Sequence, residues 1–261
     1  MICIACGKEQ QNLVNSHVVS NFIRKRLMGE TKSDGSRKFS FSWVGRKDLP
    51  KQDLPKPRLM CKTCDNNLGK EVEDGIAELL MPDDVEAFDA WGDLPIRAHE
   101  IHGVFDDPLT LGVYDYPLST QFMIEKFALS VAWRALHALA KDGEQHSCAL
   151  LNSKRGANID ESVRRHLFNG ACLQNTYDAF IYYWSPSTVN FITNNSGDMP
   201  FAWAELGDEG ESLGVTVMFA YWVIVWPLFE RDRSQYSAKL DRLNKLCFMD
   251  WVAHVSRQLA S

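Results

Sequence analysis

Four of the seven cysteines in this chain fall in two Cys-x-x-Cys pairs, and those pairs bracket its first 64 residues. The first is Cys3-Ile4-Ala5-Cys6 and the second Cys61-Lys62-Thr63-Cys64. A Cys-x-x-Cys turn aims two thiolates at one point, so two turns supply four soft ligands for a tetrahedral structural zinc with no open position. Gly7 follows the first pair, where a knuckle calls for positive φ. Disulfides or a redox dithiol are the competing readings. With the first ligand at Met1-Ile2-Cys3 no signal peptide is expected, and a cytoplasmic chain with reduced thiols is expected, which favours zinc. Such an ion closes the long loop from Cys6 to Cys61, and structural zinc in small domains contributes about 10–16 kcal/mol.

Charge separates along the chain. Residues 1–70 carry 14 Lys and Arg against 6 Asp and Glu, a net of +8, while the remainder is −14. A basic segment on an acidic body points to a polyanionic partner, or to attraction between the two parts. The loop between the cysteine pairs is polar and holds Pro50 and Pro55. Lys38, Arg46, Lys47, Lys51, Lys56 and Arg58 lie along it, with Phe41 and Trp43 on one face of an expected strand, 39–44. That strip suits a phosphate backbone, and solvated loop charge is the plainer alternative.

The elements follow from periodicity and punctuation. Residues 13–19 read as a short strand carrying Ser16-His17-Val18-Val19, and Ser20 as the cap of a helix to about Leu27 with Arg24, Lys25 and Arg26 on it. Arg58-Leu59-Met60 reads as a strand leading into the second knuckle. Asp65 reads as the cap of a helix to about Met81, with Leu68, Val72, Ile76, Leu79 and Leu80 at helical spacing.

The order of these elements resembles the zinc-bearing HNH endonucleases, the ββα-metal nucleases. The matching residues are the first Cys-x-x-Cys, Ser-His-Val-Val-Ser on a strand, the second Cys-x-x-Cys, an Asn behind it and a helix. The resemblance covers residues 1 to about 80. It implies metal-dependent hydrolysis of phosphodiester bonds in nucleic acid, with DNA the expected substrate. His17 takes the place of the family's general base and Asn66 that of the residue orienting the histidine loop. The family's helix histidine, a ligand of the catalytic metal, has no counterpart, and Glu71 or Glu73 would replace it, a carboxylate being suited to magnesium or manganese. Ser16 stands where the family has a stronger metal ligand. The plainer alternatives are a His17 packed beside the knuckle, an Asn66 that serves a turn, and glutamates on a solvated helix face. A nucleic-acid-binding or protein-binding zinc module without catalysis is the runner-up. Cutting both strands of a duplex calls for two active sites, hence a homo-oligomer or a protein partner.

The second part is expected from residue 83 to 261, as an acidic domain of helices and antiparallel strands following a 1–82 module, so the class is α+β. Its longest apolar pattern, Ser119 to Lys141, reads as a buried central helix stopped by Gly143. Arg134 in it requires a carboxylate partner or a ligand phosphate. The stretch Lys126–Arg134 is similar to a helix that follows HNH-like modules in bacterial proteins, some in phage-defence loci. His99 and His102 are spaced for a shared metal or are plain strand residues. Residues 161–168 read as a helix, 179–184, 189–193 and 215–226 as strands, and 239–259 as an amphipathic helix. The apolar run at Leu213–Phe229 is shorter than about 20 residues and holds Pro227, so a buried strand pair is expected and no membrane span. Cys148, Cys172 and Cys247 read as small buried apolar residues.

Overall fold

Arg58, Leu59 and Met60 form a short strand just after Pro57, exposed at its first residue and buried at the next two. A computed structural model describes residues 1–23, 40–41, 56–80, 96–101, 109–114, 117–171, 173, 179–183, 198–199, 201–208, 211–219, 222–229, 239–240 and 242–247. Every structural statement below concerns these residues. The class is α+β.

At the N-terminal end, β1 (Val14–Asn15) pairs antiparallel with β3 (Arg58–Met60). β1 is shorter than the strand expected over 13–19, and His17 lies just past it. The physical reason is Pro57. It has no N–H to extend the ladder and offers only its carbonyl, which accepts from the Ser16 N–H at 3.2 Å. Residues 21–23 are helical after Ser20, whose carbonyl accepts from the Ile23 N–H. Arg24, Lys25 and Arg26 lie outside the described residues.

From β3 the chain passes through Cys61 into α1 (Lys62–Leu68). Cys61, not Asp65, is the N-cap, and Asp65 sits in the first turn. Its carboxylate there faces the positive end of the helix dipole. A π-helical segment, Gly69–Glu73, follows, in which the Asp74 N–H reaches back to the Gly69 carbonyl at 2.9 Å. The chain then runs into α2 (Ala77–Leu80). Leu68, Val72, Ile76 and Leu80 are buried as their spacing predicts.

A six-stranded antiparallel sheet forms the body, in the order β4 (Ile96–Ile101), β5 (Leu109–Tyr114), β6 (Phe180–Tyr183), β10 (Trp222–Pro227), β9 (Glu211–Phe219), β8 (Phe201–Asp208). β9 and β10 are the strand pair expected of the apolar run, with Val223 opposite Met218 and Val225 opposite Thr216. Trp222, Trp226 and Phe219 are fully buried. β2 (Ser40–Phe41), in the basic loop, pairs in parallel with β7 (Asp198–Met199). No described helix is long and apolar enough to cross a membrane.

Across the sheet lies α3 (Leu118–Lys141), which contacts β6, β8, β9 and β10. Its second half is buried on nearly every side, because α4 (Gln145–Asn152) and α5 (Lys154–Asn169) cover what the sheet leaves open. It starts after Pro117 rather than at Ser119, the Pro117 carbonyl accepting from the N–H groups of Thr120 and Gln121. Gly143, at φ +89°, turns the chain out of it. One apolar core runs without interruption from Cys3, Val18 and Met60 through Phe127 and Trp133 to Trp226 and Cys247. Burying a side chain of that size contributes about 1.5–3 kcal/mol, so the cysteine-bracketed segment draws stability from the body as well as from its own knuckle. The boundary expected at residues 82 and 83 lies outside the described residues, as do His102, Cys172, the 189–193 strand and the end of the 239–259 helix. His99 lies in β4.

Candidate metal centre and the His17 segment

The four cysteines converge. The sulfurs of Cys3, Cys6, Cys61 and Cys64 all lie within 4.8 Å of one another. A tetrahedral ion with metal–sulfur bonds of about 2.3 Å needs sulfurs about 3.8 Å apart, so a small contraction seats one. Local hydrogen bonds build this geometry. The Gly7 N–H closes the first turn on the Cys3 carbonyl at 2.9 Å, and the Cys3 N–H donates to the Lys8 carbonyl at 3.1 Å. Gly7 has φ +67°, the left-handed conformation expected of it, and a Cβ there would meet an Arg164 guanidinium nitrogen at 3.4 Å. The Ile4 N–H donates to the Leu59 carbonyl, hooking the first knuckle onto β3. At Cys61 the N–H donates to the Cys3 sulfur at 3.3 Å, while the carbonyl accepts from Asp65 at 3.0 Å.

The thiols pull in opposite directions. Burial pushes the Cys3 thiol up, but the main-chain N–H groups of Cys6, Cys61 and Ala5, with the Cys6 thiol, outweigh it and hold Cys3 below its ordinary value. Cys64 is pushed far above the thiol range by burial, by its hydrogen bond with Cys61 and by the charges of Cys3, Cys61 and Cys6. Cys3 is thus held down and Cys64 pushed up within one cluster of sulfurs. A bound cation removes that conflict, and four soft donors at tetrahedral spacing fit an ion such as zinc.

His17 is half-buried, with its Nε2 atom buried, between the fully buried Ser16 and Val18. Its carbonyl accepts from Arg134 Nη1 at 2.7 Å. Arg134 Nη2 donates to Glu73 Oε1 at 2.9 Å, the carboxylate partner that the sequence requires for this arginine. Asn66 is exposed on α1, where its main-chain carbonyl accepts from Gly69. A contact on the His17 segment thus comes from Arg134, far along the chain from the Asn66 to which the resemblance assigns that role. Of the two glutamates offered in place of the helix histidine, Glu71 is exposed and Glu73 is engaged by Arg134. Among the described residues, the one converging group of three or more His, Cys, Asp or Glu ligands is the four cysteines. Among these residues, the magnesium or manganese that the resemblance implies gains no support.

A second polar cluster has no signal in the sequence. Asp160 Oδ1 accepts from the Trp133 indole N–H at 2.7 Å and lies 2.7 Å from His137 Nε2. Burial pushes the Asp160 carboxyl up, but the His137 hydrogen bond and charge, the Trp133 N–H and the Arg164 charge outweigh it and hold it below the ordinary value. No spacing rule links residues 23 or 27 positions apart on two helices. Arg164, on the same helix as Asp160, pairs with Glu161 and reaches Gly7.

No family model, curated protein or solved structure matches this chain.

Proposed function

We propose that this protein is a zinc-stapled ββα-type nuclease that hydrolyses phosphodiester bonds in nucleic acid, DNA foremost, with His17 as general base. The observation that carries the reading is the arrangement around His17. It follows β1, β1 pairs antiparallel with β3, and β3 runs through a metal-ligating cysteine into a helix. That is the strand-strand-helix order on which such nucleases mount their histidine. The imidazole takes the proton of the attacking water, the general-base work that histidine does most often. The net charge of +8 over residues 1–70 attracts the polyanion. The zinc is structural, since four thiolates leave it no open position.

A second reading is a zinc module that binds nucleic acid without cutting it. The engagement of Glu73 by Arg134 and the burial of His17 Nε2 favour it. A plasmid-nicking assay on wild type and His17→Ala, with magnesium, manganese or chelator, separates the two. Nicking by wild type alone is the expected result. Equal nicking by both variants rules out His17 as the base. Salt-sensitive binding with no nicking under any condition selects the second reading.

A further inference from the structure

Arg134 is 2% exposed, and among the residues whose side-chain burial is described it is the one Lys, Arg, Asp or Glu that is buried. A charge in that position is costly unless every donor finds a partner. Its donors are spread over three places. Nε donates to the Ser130 carbonyl at 3.1 Å, one turn earlier on α3, which fixes the guanidinium plane to its own helix. Nη1 goes to the His17 carbonyl at 2.7 Å. Nη2 goes to Glu73 Oε1 at 2.9 Å and to Ser130 Oγ at 3.4 Å. The guanidinium is planar and rigid, so its two terminal nitrogens set the His17 main chain at a fixed offset from Glu73 and from α3. The lysine ammonium, a point charge on a flexible stem, has no such fork. Lys141, further along α3, grips β3 by donating to the Arg58 carbonyl at 2.7 Å. It serves as an internal control, since it docks helix to strand without touching His17.

We propose that Arg134 is a positioning residue for His17, with Glu73 as the anchor that keeps its fork in place. This deepens the nuclease reading and rests on it for catalysis, while the positional claim is tested separately. The measurement is the ring C–H resonance of His17 in the zinc-loaded full chain, identified by its loss in His17→Ala. Arg134→Lys is expected to shift or split it. Glu73→Gln keeps an acceptor but drops the charge, and gives a smaller shift while retaining the fold. Lys141→Met leaves the resonance in place. An unmoved signal in both Arg134→Lys and Glu73→Gln overturns the proposal, and so does an equal shift in Lys141→Met. Where the wild type nicks DNA, Arg134→Lys lowers kcat about 100-fold, the scale of a misplaced catalytic group, with KM within about twofold. A change confined to KM makes Arg134 a substrate contact and also overturns the proposal. A chain that never nicks DNA but whose His17 signal follows Arg134 retains the positioning role and loses the nuclease reading.

Discussion

Replacing Asp160 with alanine removes the acceptor shared by Trp133 and His137. Hydrogen bonds to a charged group contribute about 1.5–3 kcal/mol each. The Trp133 side chain is fully buried, and the side chains of His137 and Asp160 are 14% and 20% exposed, so solvent replaces little of what is lost. Part of the His137 interaction is recovered by water at its exposed edge. The expected destabilisation is about 3 kcal/mol, or roughly 6–12 °C in Tm for a chain of this size. Asp160→Asn retains an acceptor and drops only the charge, which costs about 1–2 kcal/mol. Because folding lowers the Asp160 pKa, the charge contributes its full stability above the unfolded carboxylate value of about 3.9 and loses it as pH falls through the folded value. Urea denaturation followed by far-UV circular dichroism at pH 7 and pH 3 measures both effects. The gap between wild type and Asp160→Asn should narrow at pH 3. A loss below about 1 kcal/mol in Asp160→Ala, or a gap as wide in acid as at neutrality, refutes the assigned geometry.

Cys61→Ser or Cys64→Ser should abolish stoichiometric zinc, read by elemental analysis or by release to a chromogenic chelator. The 54 residues between Cys6 and Cys61 then carry a closure cost of roughly 3.5 kcal/mol with no metal to offset it, and amide exchange should rise across 1–23 and 56–80. Full zinc retention in both variants would show that the four sulfurs are not the ligands. Gly156→Ala should destabilise by about 3 kcal/mol or more, because a Cβ there falls inside the Leu150 carbonyl at the α4–α5 corner. A stability change under about 1 kcal/mol in denaturant melts would mean that the corner is looser than described.

Much of the architecture is legible in the residues. The cysteine spacing alone brings four sulfurs together. The pattern of Leu68, Val72, Ile76 and Leu80 marks the buried face of the helix behind the second knuckle, and Gly7 and Gly143 mark turns with positive φ. Strand pairing in the 215–226 run follows from its length and apolarity. What spacing misses depends on partners far along the chain. The end of β1 is set by Pro57, not by any residue of β1 itself. The π-helical turn at Gly69–Glu73 leaves no mark in apolar periodicity, yet it carries Glu73, the residue that meets Arg134. The sequence requires a partner for that arginine but cannot say that it also holds the carbonyl of His17. The Trp133–His137–Asp160 cluster joins two helices whose facing sides are decided by the whole core.

β2 sits inside the loop that the two knuckles close, yet its partner, β7, lies far beyond the second knuckle at Asp198–Met199. On the ribosome these events occur in a fixed order. The four cysteines are all available once residue 64 has cleared the exit tunnel, so metal can be captured early. β2 then waits, tethered at both ends, until residues 198 and 199 are made. Domains tend to fold as they emerge, but β2 cannot pair with β7 before then. A metal bound at the four cysteines would therefore tether β2 at both ends through that whole interval.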